Sequence, residues 1–164
     1  MNANVPEIDI AINDDAWLAL LGSEKQMHAL SESALSAAAN VANLKWPSHA
    51  ELSIVFTNDD EMAELNKQWR DIDKSTNVLS FPGSDVSVGE EADALIGDII
   101  LAHETISQEA IAQEKSFNAH LSHLLVHGFL HLFGYDHIED DEAQIMETLE
   151  IKILQTLEIS NPYH

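Results

Sequence analysis

Residues 7–12 (EIDIAI) alternate polar and apolar side chains, the period of a strand with one buried face. Residues 51–57 (ELSIVFT) repeat that period, with Leu52, Ile54 and Phe56 on one side, after Pro47 has broken the preceding segment. Residues 78–81 (VLSF) form a shorter candidate strand, closed by Pro82 and Gly83. Residues 95–102 (LIGDIILA) are apolar on both faces except at Asp98, which predicts a strand covered from both sides. The spacing of Met27, Leu30, Leu35 and Ala38 predicts a helix over 25–44, preceded by a short turn at 17–21. Asn58 with Glu61 three places on is a capping box, opening a helix that runs to about Asp71. A helix over 104–115 follows the last strand, and Ser116 caps another over 117–133 that Gly134 stops. The final helix covers about 141–157, where Ile145, Leu149, Ile153 and Leu157 recur every four residues.

Four strands and five or six helices in this order predict a mixed α/β (α+β) layer structure, with the C-terminal helices packed on a small sheet. The 164 residues suit one domain spanning 1–164, with no internal repeat and no dividing linker. The acidic, glycine- and serine-containing stretch 83–92 is expected to be mobile. Apolar residues make up 45%, enough for a core, yet no run approaches a membrane span. Residues 1–15 carry acids and no basic side chain, unlike a secretory signal. Without cysteine, disulfides and thiolate metal sites are excluded. A cytoplasmic protein that binds metal through nitrogen and oxygen fits this composition.

Charge narrows the partners. The net charge of −22 disfavours long contacts with phosphate backbones, which need lysine and arginine. Of only seven basic residues, Lys67, Arg70 and Lys74 fall within eight positions. Such a cluster is usually a solvated helix face. In so acidic a chain it is also the exception, and a short contact focused at a metal stays open.

Five of the nine histidines lie in residues 120–137, HLSHLLVHGFLHLFGYDH. On a helix, His127 and His131 stand one turn apart on one face, separated by about 6 Å of rise. Gly134 can take the left-handed conformation that turns the chain back and carries His137 towards the same point. Three neutral imidazoles suit one zinc ion and leave a fourth position open, as catalytic zinc sites do. His123 with His127 is the rival pair; without a glycine stop and a third histidine behind it, His123 reads as a neighbour of the site. His28, His49 and His164 read as ordinary surface or core residues. Asp136 is placed to orient a liganding imidazole from outside. The spacing also matches the metzincin peptidase pattern, Gly134 included, but Gly128 stands where that chemistry needs a glutamate base. The metal is thereby favoured over peptide hydrolysis.

The run from His127 to His137, HGFLHLFGYDH, closely resembles the signature of the bacterial YbeY family. Leu65-Asn66, Arg70, Asp73, Thr76 and Val78-Leu79-Ser80-Phe81-Pro82 resemble a second family segment, and Gly97-Asp98-Ile99 a third. The resemblance implies an α/β fold with a four-stranded sheet and a metal-dependent endoribonuclease acting on single-stranded RNA. It further implies maturation of the 3′ end of small-subunit ribosomal RNA and removal of defective ribosomes, with ribosomal subunits or proteins as partners and neither DNA nor membrane. His127, His131 and His137 would hold the metal, and Arg70 would join them as the phosphate-binding catalytic residue, a role that suits a planar guanidinium fork. His123 and Asp136 are the candidate bases among neighbouring side chains. A zinc peptidase and a non-catalytic ribosome-assembly factor with structural zinc are the alternatives. One departure is visible: Asn77 stands where the family usually has aspartate, keeping the size and losing the charge.

Overall fold

The computed structural model describes residues 5–163. Strands β1 (Glu7–Ile12), β2 (Glu51–Thr57), β3 (Val78–Pro82) and β4 (Leu95–Ala102) form one sheet in the order β1-β2-β4-β3. The first three run parallel, with Ile10 opposite Ile54 and Ile54 opposite Ile99. Parallel neighbours need crossovers, and helices provide them: α1 (Ala16–Leu21) and α2 (Glu24–Ala42) join β1 to β2, while α3 (Asp59–Arg70) follows β2. β3 lies antiparallel to β4 at the edge, Ser80 opposite Ile99. An edge tolerates Pro82, which has no N–H to give a further strand. Helices α4 (His103–Ala112), α5 (Phe117–Leu132) and α6 (Asp140–Thr156) complete the mixed α/β fold.

The alternation in β2 does what its period requires. Leu52, Ile54 and Phe56 are buried on one face, where they join the core with Leu35, Ile99, Leu101, Leu125 and Phe129. A smaller cluster of Met62, Leu79, Ile100 and Ala102 sits on the other face beneath α3. β4 is covered on both sides over residues 99–102, but Leu95 at its start is 65% exposed, so the two-sided burial begins later than its apolar sequence predicts. Asn58 caps α3 by accepting the Glu61 N–H at 3.0 Å. Only half of the capping box forms, because Glu61 turns to Thr57 and Asn13.

The expected turn at 17–21 is a helix. Asp14 accepts the Ala16 N–H at 2.9 Å, Trp17 and Leu21 bury on one side, and Gly22 ends the element at φ +96°. Six residues are too short for periodicity to declare them. The acidic segment 83–92 has no regular structure, yet it is tied at both ends. Gly83 donates to Ile96 O and Ala92 to Lys45 O, each at 2.9 Å, and Val86 packs on the core. His28 is on α2 beside Glu32, and His49 is exposed in the loop before β2. His164 lies outside the described residues. Among the described residues, no helix is long and apolar enough to cross a membrane.

Candidate metal centre

The site is built on α5. Eleven of its residues are buried, so the helix is a central strut and not a surface element. Its side against the sheet is close because Gly128 has no side chain. A Cβ there would stand 3.0 Å from Ser80 Oγ and 3.2 Å from Ile99 Cγ2, and Ser80 donates to Gly128 O at 3.2 Å. A side chain at this position would press on Ser80 and Ile99 and start towards the sheet, away from the face that carries His127 and His131. Residues one helical turn apart, 127 and 131, emerge together on a different face.

Past α5, the Gly134 N–H bonds His131 O and the Tyr135 N–H bonds Leu130 O, closing the helix as the chain reverses. Gly134 has φ +94°, and a Cβ on it would come within 2.5 Å of Val86 O. The reversal brings His137 back beside the helix. His127 Nε2 then lies 3.0 Å from His131 Nε2 and 3.4 Å from His137 Nε2.

These residues fit a metal ion. Zinc–nitrogen bonds of roughly 2.0–2.1 Å at tetrahedral angles set nitrogens roughly 3.3–3.4 Å apart. The three ring nitrogens all lie within 4.8 Å of one another. Burial first, then the neighbouring His127 and His137, push the pKa of His131 down to about 4, so its lone pair is free at neutral pH. The carboxylate of Asp136 opposes that shift only weakly. Asp136 otherwise accepts the His137 backbone N–H at 2.7 Å, holding the loop and not a ring.

The carboxylate that does meet a ring was missed in the sequence. Glu150, fully buried on α6, lies 2.5 Å from His127 Nδ1 through Oε2 and 2.9 Å from His123 Nε2 through Oε1, and it also accepts from Tyr163 OH. Burial pushes its pKa up, but the bonds from His123 and His127 outweigh this and bring it down to about 2. Burial and the Glu150 carboxylate raise the Tyr163 pKa, so its hydroxyl keeps the proton. The signal was present: a lone acid on the apolar stripe of α6, flanked by Met146, Ile153 and Leu154. In a segment crowded with solvated acids it did not stand out.

The histidines open onto a cleft of about 1090 Å³, bounded by the edge strand β3, segment 84–88 and the loop after α5. Arg70, exposed at the end of α3, lines the same cleft, and among the described residues its guanidinium makes no ion pair. Lys67 and Lys74 are exposed nearby in the chain but are not part of the cleft wall, so the positive cluster delivers one cation. Asp136 reaches the wall; His123 lies behind His127, engaged with Glu150. Asn77 also lines the cleft, its Nδ2 donating to Glu109 Oε1 at 2.9 Å and its Oδ1 accepting the Val78 N–H at 2.6 Å. Glu109 Oε1 is in turn 2.8 Å from His120 Nε2. His120 is buried there and its pKa is lowered, mainly by that burial.

The chain is similar to several known proteins. A family profile described as Endoribonuclease YbeY matches residues 12–158. A Rhizobium meliloti protein named Endoribonuclease YbeY is 49% identical over 162 residues, covering 96% of this chain and 94% of its own length. Namesakes from Agrobacterium fabrum and Bartonella bacilliformis are 44% and 47% identical, covering 96% and 95% of this chain and 94% and 96% of their own. A Thermotoga maritima protein solved in solution shares the fold, with a TM-score of 0.54 at 22% identity over 96% of this chain and 95% of that one. With a profile spanning most of its length and relatives near half identity, the chain belongs to the YbeY endoribonuclease family.

Proposed function

We propose that this protein is a zinc-dependent endoribonuclease that cuts single-stranded RNA in the cytoplasm. Its substrate is the 3′ region of small-subunit ribosomal RNA, encountered on or near the ribosomal subunit, and the same activity serves the removal of defective ribosomes. The observation that carries this reading is the opening of three imidazoles and one unpaired guanidinium onto a single cleft. His127, His131 and His137 would hold one ion. Such an ion supplies Lewis acidity to a phosphoryl oxygen. Arg70 meets the negative charge that grows on the non-bridging oxygens as the phosphodiester is attacked, where a planar fork pairs two oxygens at once. Of the two candidate bases, Asp136 is the one on the cleft wall, with one carboxylate oxygen engaged by the His137 N–H; His123 is withdrawn behind His127 and serves the site indirectly.

The reading also accounts for a strongly acidic protein handling RNA. Binding is local, centred on the ion and Arg70, so the remaining charge repels the long duplex contacts that affinity for nucleic acid usually relies on. The test is one assay on purified protein: metal content, then cleavage of a single-stranded ribosomal RNA fragment with and without chelator, in wild type and His131→Ala. Cleavage by wild type that is lost with chelator and in His131→Ala supports the proposal. Metal-loaded protein that binds ribosomal particles and never cuts RNA would replace it with an assembly role.

A further inference from the structure

Glu150 is chemically out of place. It is fully buried on a helix otherwise inserted by apolar residues, and both of its oxygens are engaged. Oε2 meets His127 Nδ1 at 2.5 Å; Oε1 meets His123 Nε2 at 2.9 Å and receives the Tyr163 hydroxyl. A buried charge survives only when paired and hydrogen-bonded, and three partners converge here from α5 and the C-terminal segment. An ionised carboxylate only accepts, so each partner must point a hydrogen at it. For His127 this puts the proton on Nδ1 and leaves the Nε2 lone pair facing His131 and His137. For His123 it puts the proton on Nε2 and leaves a bare acceptor at Nδ1, which agrees with that buried nitrogen having no hydrogen-bond partner. Tyr163 OH also lies 3.3 Å from His123 Nε2, so the two groups brace one oxygen from different directions.

We propose that Glu150 is the positioning residue of the metal centre. It fixes the tautomer and ring orientation of His127, while His123 and Tyr163 hold its second oxygen so that the first cannot swing away. Metal affinity is thereby tied to a residue on α6 and to the C-terminal segment, neither of which reaches the cleft. The inference rests on the three-histidine centre being a metal site, and it is independent of the RNA chemistry. A carboxylate behind a liganding imidazole raises its basicity, and losing such a partner typically costs 10- to 100-fold in affinity.

The experiment needs no RNA. Nitrogen-detected NMR of the histidine rings in the metal-free wild type at neutral pH should show His127 carrying its proton on Nδ1. Zinc affinity is then measured by competition with a chromophoric chelator in wild type, Glu150→Gln, Glu150→Leu and Tyr163→Phe, each checked for folding by circular dichroism. Expected losses are about tenfold for Glu150→Gln, which keeps a neutral acceptor, and about 100-fold for Glu150→Leu, which keeps only bulk. Tyr163→Phe, at a partly exposed position, should lose a few-fold. A wild-type His127 ring protonated on Nε2, or wild-type zinc affinity in folded Glu150→Gln, overturns the proposal. If both Glu150 variants fail to fold, the wild-type tautomer decides alone. Unchanged affinity in Tyr163→Phe removes the C-terminal clamp. A wild type that binds no zinc refutes the metal centre itself, a result the ring tautomer distinguishes from failure of Glu150.

Discussion

Asn77 shows how much a single amide can decide. Its Nδ2 donates to Glu109 while its Oδ1 accepts the Val78 N–H, so both ends of the amide are used in their proper sense. An aspartate would keep the second bond and set a carboxylate against Glu109. We expect Asn77→Asp to lose about 1–2 kcal/mol of stability at pH 7, the usual cost of an unpaired or like-charged polar group, with the deficit shrinking on acidification as the pair takes up a proton. Urea unfolding at pH 7 and pH 5 measures this; equal stability at both would mean that Glu109, one-third exposed, turns away into solvent. Arg70 is the opposite case, a side chain that among the described residues makes no ion pair to lose. Arg70→Ala should therefore leave zinc affinity and unfolding unchanged and slow RNA cleavage about 10²- to 10³-fold, the effect of removing one charge-stabilising donor from a transition state. Full activity in the folded variant would remove Arg70 from the chemistry.

Helices and turns account for why some of the site could be read from sequence and some could not. Local signals were sufficient where the site is local: the one-turn spacing of His127 and His131, the glycine stop, and the return of His137 all lie within eleven residues. Glu150 carried only a faint signal, an acid on an apolar stripe, and its role could not be read because its partner lies 23 positions away across α5–α6 packing that has no local signature. The same holds for α1, whose six residues are fixed by tertiary burial of Trp17 and by its Nε1–H bond to Thr57 O at 2.7 Å. The turn after α5 carries two demands at once, a left-handed backbone and space for Val86 O. Gly134→Ala should then cost at least about 1–2 kcal/mol from the backbone alone, and displacement of His137 should weaken zinc binding about tenfold. Chemical unfolding of the metal-free protein separates the first effect from the second. On α3, Trp69 is 63% exposed beside Arg70 and lies edge-on to Phe81 of the cleft wall. Base stacking on an exposed ring is worth about 1–3 kcal/mol, so Trp69→Ala should weaken binding of single-stranded RNA about 5- to 150-fold with zinc affinity intact.

At the scale of the whole molecule, two opposite responses to acid compete. The net charge of −22 means that protonating surface carboxylates relieves self-repulsion, which favours the compact state as pH falls. The buried His120 and the half-buried His131 act the other way. His131 is held at about 4 against an ordinary 6.5, and His120 is also lowered, so between those values the unfolded chain binds protons that the folded chain refuses. Stability contributed by these neutral rings is complete above about pH 6.5 and is lost as pH falls towards 4. Glu150, held at about 2 against 4.5, extends the loss below pH 4.5, where the unfolded carboxyl takes up a proton and the folded one does not. The net slope depends on both responses, but their difference isolates the site. Metal-free wild type and His131→Ala share the same carboxylate surface, so urea unfolding of the two between pH 7 and pH 4 should give the steeper acid decline in wild type. Parallel profiles would show that the His131 ring takes up its proton in the folded state as readily as in the unfolded one. The cavity around it would then be open enough to hydrate the charge, and the site would have to compete with protons for its metal throughout the mildly acidic range.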